Sequence, residues 1–511
     1  MLKLVMNRFI YLTVLILIFI LLDTNRSKAQ KMGAFTEVSD IGSPGLGGLT
    51  RFDESTQSYT LSGSGLNMWA NRDEFHFASV KINGDFILTT FCHFEGHGVN
   101  PHRKMGLMVR EKREAGSRYA DVAVHGDGLT SLQYRTREND QTLEFKSAKS
   151  SPDVIQLERR GDSVIVRCAT IGEPLTETGR LAVSFIGPVY AGLFVCSHDP
   201  NVIERAIFDN FRIDVPAGPH VDGYKSPSAS RLELLDMNTK IRKVIYTTKD
   251  HIEAPNWSRD GKFLICNSEG LLYRFPLKTK SPVRINTGDV INNNNDHGLS
   301  FDGKVLAISS ASMQADGKKG SAIYTVPVGG GVPKRITPQV PSYWHGWSPD
   351  GKNLVYCAER NGDYDVWRIP SGGGEEYQLT NSKGLDDGPE YSPDGKFIFF
   401  NSVRSGLMKI WSMSQDGSNQ KQVSYGPFND WFAHISPDGK EIAYISYPES
   451  VPPNSHPHNE HVFLQVQEIK SGKTTVMAYI YGGQGTMNVP SWSPDGTKVA
   501  FISYTYGDPK Y

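Results

Sequence analysis

The segment GWSPDGKNLVYC (346–357) joins an aromatic lead-in to a mostly apolar run through the turn Ser-Pro-Asp-Gly. In such a turn Pro349 restricts φ, the Asp350 side chain bonds back to the backbone, and Gly351 tolerates a positive φ. One strand therefore leads into the turn and another leaves it. The same phrase, or a near variant, occurs six times in the second half of the chain.

The six copies are regularly spaced. Their aspartates lie 42, 48, 44, 44 and 57 residues apart, and further strand-like runs follow most copies. A unit of roughly 44 residues that carries four strands is typical of the blade of a β-propeller. The repeat therefore predicts six blades. The turn aspartates are Asp260, Asp302, Asp350, Asp394, Asp438 and Asp495.

The last copy extends to Tyr511 and does not contain the outer strands of a complete blade. Two strand-like runs, 231–237 and 243–248, precede the first copy and can complete that last blade. Such an exchange joins the ends of the ring and removes its open sheet edges. We therefore expect a closed six-bladed β-propeller over 231–511.

The Ser-Pro-Asp-Gly-Lys phrase and the run NSVRSGLMKIW (401–411) resemble the TolB-type propeller repeats. The resemblance covers 231–511. TolB itself is non-catalytic and works through protein partners, so the resemblance implies the architecture and leaves both a binding role and a catalytic role open.

The first half of the chain has no such repeat and alternates short strand-like runs with Gly-rich turns, which favours a β-sandwich. The segments 104–136 and AIFDNFRI (206–213) resemble the concanavalin-like jelly-roll modules of secreted carbohydrate-active proteins. The sequence thus predicts an all-β protein: a concanavalin-like β-sandwich at 30–215, a linker at 216–230, and then the propeller.

Residues 1–29 have the pattern of a signal peptide. Lys3 and Arg8 precede an apolar run at 9–22, and Ser27 and Ala29 form a small-residue cleavage site. An uncleaved anchor is the alternative. We expect an exported protein, in the periplasm, at the cell surface or secreted, with no membrane span after cleavage.

Charge balance and cysteine placement argue against two classes of protein, nucleic-acid binders and disulfide-stabilised folds. Lys plus Arg is 54 and Asp plus Glu is 55, so the net charge of −1 offers no basic surface for a nucleic acid, and none is expected as a partner. The five cysteines are odd in number and lie in apolar runs. We interpret them as buried apolar side chains rather than as a disulfide framework.

Propellers bind ligands in the axial funnel, where the inner strands converge. His297, His345 and His434 recur just before the turn in three different blades, so we expect them to converge there, although hydrogen bonding between blades is the alternative for each one. Polar and aromatic neighbours are predicted to bind substrate. These are Tyr343, Trp344, Asp386, Asp387, Trp431 and Asn488.

An insertion after the fifth copy, PESVPPNSHPHNEHVFL (448–464), contains His456, His458 and His461. Histidines at this spacing suit metals that prefer imidazole, although a solvated loop is the alternative. We predict a divalent metal ion, Mn, Zn or Ca, as a cofactor, with His297, His456 and His458 as its ligands.

The propeller also resembles that of oligogalacturonate lyases, which implies β-elimination on a uronic acid with a metal bound by histidines in the funnel. Removing the C5 proton of a uronate requires neutralisation of its carboxylate and a base with a pKa near neutrality. We assign His345 as the base, His434 as a ligand of the metal or the substrate, and Arg404 as the partner of the carboxylate.

The predicted substrate is an acidic oligosaccharide, attacked at its chain end. The enzyme is a lyase if a sugar leaves C4 and a dehydratase if water leaves. The alternative function is a non-catalytic propeller that binds glycans or proteins.

Overall fold

The computed structural model describes residues 32–223, 225–226, 228–314 and 316–508, and the predicted signal peptide at 1–29 lies outside them. Every regular element in the described part of the chain is a β-strand. The strands of the first half are β1 (Glu37–Ile41), β2 (Leu49–Asp53), β3 (Ser58–Gly65), β4 (Met68–Trp69), β5 (Arg72–Asp73), β6 (Phe75–Ile82), β7 (Phe86–Phe94), β8 (Lys104–Arg110), β9 (Tyr119–His125), β10 (Thr130–Arg135), β11 (Leu143–Lys146), β12 (Val154–Arg160), β13 (Ser163–Ala169), β14 (Thr176–Ala182), β15 (Val189–Cys196) and β16 (Asp199–Asp214).

The second half contains the remaining strands. They are β17 (Ala229–Asp236), β18 (Arg242–Thr248), β19 (Glu253–Trp257), β20 (Phe263–Ser268), β21 (Leu271–Pro276), β22 (Val283–Arg284), β23 (Asn293–Leu299), β24 (Val305–Met313), β25 (Lys319–Pro327), β26 (Lys334–Arg335), β27 (Ser342–Trp347), β28 (Asn353–Glu359), β29 (Tyr364–Pro370), β30 (Tyr377–Gln378), β31 (Asp386–Tyr391), β32 (Phe397–Ser402), β33 (Lys409–Ser414), β34 (Lys421–Gln422), β35 (Asn429–Ile435), β36 (Glu441–Tyr447), β37 (His458–Glu468), β38 (Thr474–Gly483) and β39 (Lys498–Thr505). No helix in the described ranges has the length and apolar character needed to cross a membrane.

The first half is a β-sandwich, as predicted. Its two seven-stranded antiparallel sheets have the orders β1-β6-β15-β8-β9-β10-β11 and β14-β13-β12-β7-β16-β3-β2. Alternate residues of the strands point between the sheets, as Met105, Leu107 and Val109 do on β8, and they meet Leu157 and Phe208 of the opposite sheet in one buried core.

The second half is a six-bladed propeller, which confirms the prediction from the repeat. Five blades are four-stranded sheets made of consecutive strands, β19–β22, β23–β26, β27–β30, β31–β34 and β35–β38. The sixth blade has the order β18-β17-β39, and β17 pairs with β39 from Ala229↔Thr505 to Asp236↔Lys498. The ring is therefore closed by the predicted exchange of strands, although β17 begins at Ala229 rather than at 231.

The Ser-x-Asp-Gly turns have the same internal hydrogen bonds in all six blades. In the third blade the Ser348 hydroxyl donates to Asp350 Oδ1 at 2.6 Å, and the same carboxylate oxygen accepts from the Lys352 N–H at 3.1 Å. Gly351 has φ +71°, a conformation that favours glycine. The turn thus satisfies its own polar groups without help from other blades.

Substituting Asp350→Ala is expected to lower the free energy of unfolding by about 0.5–1.5 kcal/mol, because two hydrogen bonds of the turn lose their acceptor. Asp350→Asn keeps an acceptor oxygen and should lose less. Urea unfolding of both variants would measure the difference, and equal stability of Asp350→Ala and the unchanged protein would contradict this account of the turn.

The five cysteines are buried and none forms a disulfide. This confirms the interpretation of Cys92, Cys168, Cys196, Cys266 and Cys357 as apolar core residues.

The two halves share a buried interface of charged groups. Arg212 of β16 and Arg242 of β18 contact opposite oxygens of the Glu233 carboxylate on β17, at 2.6 and 2.7 Å. Asp214 and Arg231 form a further ion pair across the same interface at 2.6 Å. The strand that closes the propeller is thus also the strand that attaches it to the sandwich. Apolar side chains continue this contact: Val154, Ala169, Val476 and Tyr479.

Candidate functional site

One end of the propeller axis contains a funnel with a cavity volume of about 920 Å³. All six blades contribute to its lining, through the beginnings of their inner strands and the adjoining loops, and the predicted insertion also reaches it. Residues that line it include Glu253, Glu269, Asp296, Tyr343, His345, Asp363, Asp387, Phe432, His456, His458, Gln484 and Asn488.

The inner strands are irregular at the point where they leave the funnel. In the third blade the pairing shifts between Trp344 and Gly346, so that His345 is the extra residue of a β-bulge. A bulge re-aims the side chain of its extra residue. His345 accordingly lines the funnel, as the sequence analysis expected.

The structure corrects the expected positions of His297 and His434. Both lie beyond the bulge in their own blades, where pairing has resumed, at His297↔Ile308 and His434↔Ala443. Their side chains therefore point between blades. His297 is fully buried with its Nε2 3.2 Å from the Ile265 carbonyl oxygen. His434 contacts Glu390 at 2.7 Å and the Met487 carbonyl oxygen at 3.1 Å. Neither residue lines the funnel.

His345 and Asp387 form a buried ion pair in the funnel wall, with 3.1 Å between His345 Nε2 and Asp387 Oδ1. Burial alone lowers the pKa of His345, but the charge and hydrogen bond of Asp387 outweigh burial, so the pKa lies above its ordinary value. Burial raises the pKa of Asp387, and His345 overcomes this and holds that pKa at about 2. Asp387 thus favours the protonated form of His345, against the effect of burial.

A second group in the funnel has the composition of a metal site. Donor atoms of His251, Glu253 and His458 all lie within 4.8 Å of one another, and His251 Nε2 is 3.3 Å from Glu253 Oε1. The His251 ring stacks on Tyr504 with 4.8 Å between centroids, which fixes its orientation. Burial lowers the pKa of His458 to about 4, so its imidazole is neutral and able to bind a cation near pH 7.

The funnel lining is acidic. It contains the carboxylates of Glu253, Glu269, Asp296, Asp363 and Asp387, and no Lys or Arg is found among the described residues that line it. Burial raises the pKa of Asp296 to about 6, against the lowering effect of His345 and with a smaller contribution from Asp387. The carboxylates therefore favour a cation in the funnel.

Arg404 does not reach the funnel, which corrects its predicted role as partner of a substrate carboxylate. Its guanidinium donates to Asp386 at 2.6 Å and lies over the Trp411 ring at 4.9 Å from the centroid. Asp386 forms this ion pair through Oδ2 and is not among the residues that line the funnel. Both residues hold the fourth blade together.

The two predicted tryptophans are core residues, because Trp344 and Trp431 are almost completely buried and lie outside the funnel lining. Trp431 instead contacts the ring of His456, with 4.4 Å between centroids, and so supports the funnel wall from behind. Five predicted residues do line the funnel besides His345: Tyr343, Asp387, Asn488, His456 and His458.

Of the predicted metal ligands, His458 belongs to the cluster with His251 and Glu253. His456 lines the funnel but is not part of that cluster, and His297 does not line the funnel. The third histidine of the insertion, His461, lies in a separate cavity of about 330 Å³ between the two domains. The sequence analysis did not identify His251 and Glu253 as candidate metal ligands. Glu253 stands seven residues before its turn aspartate, as Asp387 does, so aligning carboxylates as well as histidines across the copies would have found it.

Comparisons with known proteins agree with this architecture. Residues 342–456 match the PD40 family, described as the TolB beta propeller domain. An uncharacterized protein of Agrobacterium fabrum is 44% identical over 276 residues, covering 54% of this chain and 92% of that protein. The structure of a putative TolB from Agrobacterium tumefaciens is 43% identical, with a TM-score of 0.52, and the match covers 54% of this chain and 98% of that one.

More distant matches include an oligogalacturonate lyase in complex with manganese. It is 17% identical, with a TM-score of 0.34, over 50% of this chain and 90% of that one. A similarity this low is no guide to the activity of the present chain.

Proposed function

The propeller half of this chain belongs to the TolB-like β-propeller family, and from that premise we propose that the protein is an exported lyase or dehydratase of acidic oligosaccharides. It would act on a chain-end uronic acid by β-elimination. The observation that carries the proposal is that a His345–Asp387 pair and a His251–Glu253–His458 cluster line the same funnel. Export, with the periplasm as the destination, belongs to the same proposal.

His345 is the general base for this reaction. In β-elimination the base takes the C5 proton, the C–H electron pair forms the C4–C5 double bond, and the C4–O bond breaks. Asp387 orients the imidazole and stabilises the imidazolium that forms when the proton arrives. The raised pKa of His345 makes the imidazole a stronger base once it is neutral.

Asp296 is the candidate acid for the leaving group. Its pKa of about 6 keeps a fraction of the carboxyl protonated near neutral pH, and it lines the same funnel as His345. The pKa of Asp387 is about 2, so that carboxylate is ionised near neutral pH, where Asp296 keeps a protonated fraction. A pair of carboxyl groups whose pKa values are pushed apart is typical of acid–base catalysis.

His251, Glu253 and His458 would hold a divalent cation. Two imidazoles and a carboxylate suit Zn²⁺ or Mn²⁺, whereas Ca²⁺ prefers oxygen ligands alone. When bound there, the cation supplies positive charge that offsets the uronate carboxylate and makes the C5 proton more acidic. The acidic lining offers no Lys or Arg among its described residues for that purpose, so the metal is required.

We expect the purified protein to form a new C4–C5 double bond, measured by ultraviolet absorbance, when Mn²⁺ or Zn²⁺ is present with a uronate oligosaccharide. Removing the metal with a chelator should lower the rate by roughly 10²-fold or more, and adding it back should restore the rate. A neutral oligosaccharide is the control, because its C5 proton has no adjacent carboxylate and should not react.

A binding propeller is the second candidate, and the 43% identity to a structure described as a putative TolB favours it. The same experiment separates the two functions. If the protein binds the uronate oligosaccharide only with metal present and forms no new double bond, its function is binding and not catalysis.

A further inference from the structure

The sandwich contains a cluster of histidines that the proposed function does not use. It lies at one end of three adjacent strands, because Lys104 at the start of β8 pairs with His125 at the end of β9 and with Cys196 at the end of β15. His102 precedes Lys104 by two residues, and His198 follows Cys196 by two. The pairing of the three strands therefore brings these histidines to one edge of the sheet.

We propose that His102, His125 and Asp127, with His198 beside them, form a second metal site that takes Zn²⁺ or a similar divalent cation of intermediate softness. Donor atoms of the first three residues lie within 4.8 Å of one another. His102 Nδ1 is 3.9 Å from Asp127 Oδ2, and the His102 and His198 rings are 5.6 Å apart between centroids. Imidazoles with one carboxylate are a donor set that Zn²⁺ binds in proteins.

His125 supplies an independent sign of a missing ligand. The residue is 6% exposed, and its Nδ1 has no hydrogen-bond partner among the described residues. Its Nε2 lies 3.2 Å from the amide nitrogen of Gln133, whose own carbonyl oxygen is also buried without a partner. Exchanging the amide oxygen and nitrogen lets His125 Nε2–H donate to Gln133. That arrangement leaves the Nδ1 lone pair free for a cation.

The unpartnered nitrogen of the buried His125 agrees with metal binding. A buried nitrogen with a free lone pair and no proton otherwise costs free energy, because it has lost its hydrogen bond to water.

The surrounding loops are already held together. The N–H of Asp127 donates to the Pro101 carbonyl at 2.8 Å, and the N–H of Gly126 donates to the Arg103 carbonyl at 2.9 Å. The Asn100 side chain donates to the His198 carbonyl at 3.2 Å. Three loops are thus positioned before any cation binds.

Only modest movement is needed to close the site. Tetrahedral Zn²⁺ with bonds of about 2.0–2.1 Å places its donor atoms roughly 3.3 Å apart. The side chains of His102 and Asp127 are 54% and 38% exposed, so they can turn toward a cation without disturbing the core. The buried His125 provides the fixed ligand.

The test uses the full chain in a His458→Ala background, which removes the funnel cluster, so the result does not depend on the proposed enzyme. After stripping with a chelator, this chain should bind one equivalent of Zn²⁺ in competition with a chromogenic chelator. Adding His102→Ala, a change at an exposed side chain, should weaken that binding by more than about 100-fold, beyond the loss expected for a residue that only hydrogen-bonds to a metal ligand.

His93→Ala is the matched control, since His93 is an exposed histidine of the same domain outside the cluster. It should leave the Zn²⁺ equivalent intact. Zn²⁺ should also raise the melting temperature of the His458→Ala chain but not that of the His102→Ala/His458→Ala chain. The proposal is overturned if the His458→Ala chain binds no Zn²⁺, or if His102→Ala leaves its binding unchanged.

Discussion

Replacing His345 with Ala is expected to lower the turnover of a uronate oligosaccharide by about 10²–10⁴-fold, the contribution of a positioned general base. The melting temperature should fall as well, because Asp387 loses its ion-pair partner in the funnel wall, so turnover is compared at a temperature at which the variant is folded. Initial rates from ultraviolet absorbance and a thermal melt of the same preparation measure both effects.

The pH dependence tests the same assignment through Asp387. The pKa of His345 is raised, so the proton-accepting form is lost as pH falls through a value above the ordinary value of about 6.5. Asp387→Asn removes the attraction that raises this pKa and should move the acid limb of the rate profile to lower pH while lowering the maximal rate. His297→Gln, a histidine position outside the funnel, should leave the acid limb in place. Full activity of His345→Ala would refute the assignment.

The second large effect is expected at the interface of the two domains. Glu233→Gln leaves the guanidinium groups of Arg212 and Arg242 buried without their carboxylate. Removing one partner of a buried ion pair typically costs about 3–5 kcal/mol, because an uncompensated charge remains in the interior. We expect a lower midpoint of urea unfolding and easier separation of the two domains by limited proteolysis.

The effect of Glu233→Gln should depend on pH. Burial raises the pKa of Glu233, but Arg212 and Arg242 outweigh burial and hold it far below its ordinary value. The ion pair therefore stabilises the fold above the unfolded-state pKa, and this stabilisation is lost as pH falls toward the native-state pKa. The difference between variant and unchanged protein should shrink in acid. The exposed pair of Glu177 with Arg180 is the control, and Glu177→Gln should give no resolvable change.

Most of the fold was predictable because its signals are local. The Ser-x-Asp-Gly turn satisfies its hydrogen bonds within six residues, so each copy marks a hairpin regardless of context. The closure of the ring was predictable because the last copy lacks its outer strands and two additional strands precede the first copy. β17 pairs with β39 as expected. The sandwich was predictable from alternation along its strands.

The candidate site was predictable only in part. Three histidines lie at almost the same distance from their turns, yet only His345 reaches the funnel. In its blade, strand pairing resumes after the bulge one residue closer to the turn than in the blade of His297, so the two side chains differ in direction. One step of register reverses the face to which a side chain points. Spacing in the sequence does not reveal where a bulge lies.

The sequence by itself thus determined the number of blades, their closure and the sandwich that precedes them, since turns and strand alternation depend on neighbours along the chain. Tertiary structure alone decided which polar groups meet. His251 precedes the first blade and His458 lies in the insertion of the fifth, and ring closure brings them to one cluster with Glu253. His102, His125 and His198 meet only because β8 pairs with both β9 and β15. Contacts between distant segments depend on strand order and register, and neither property is a local feature of the chain.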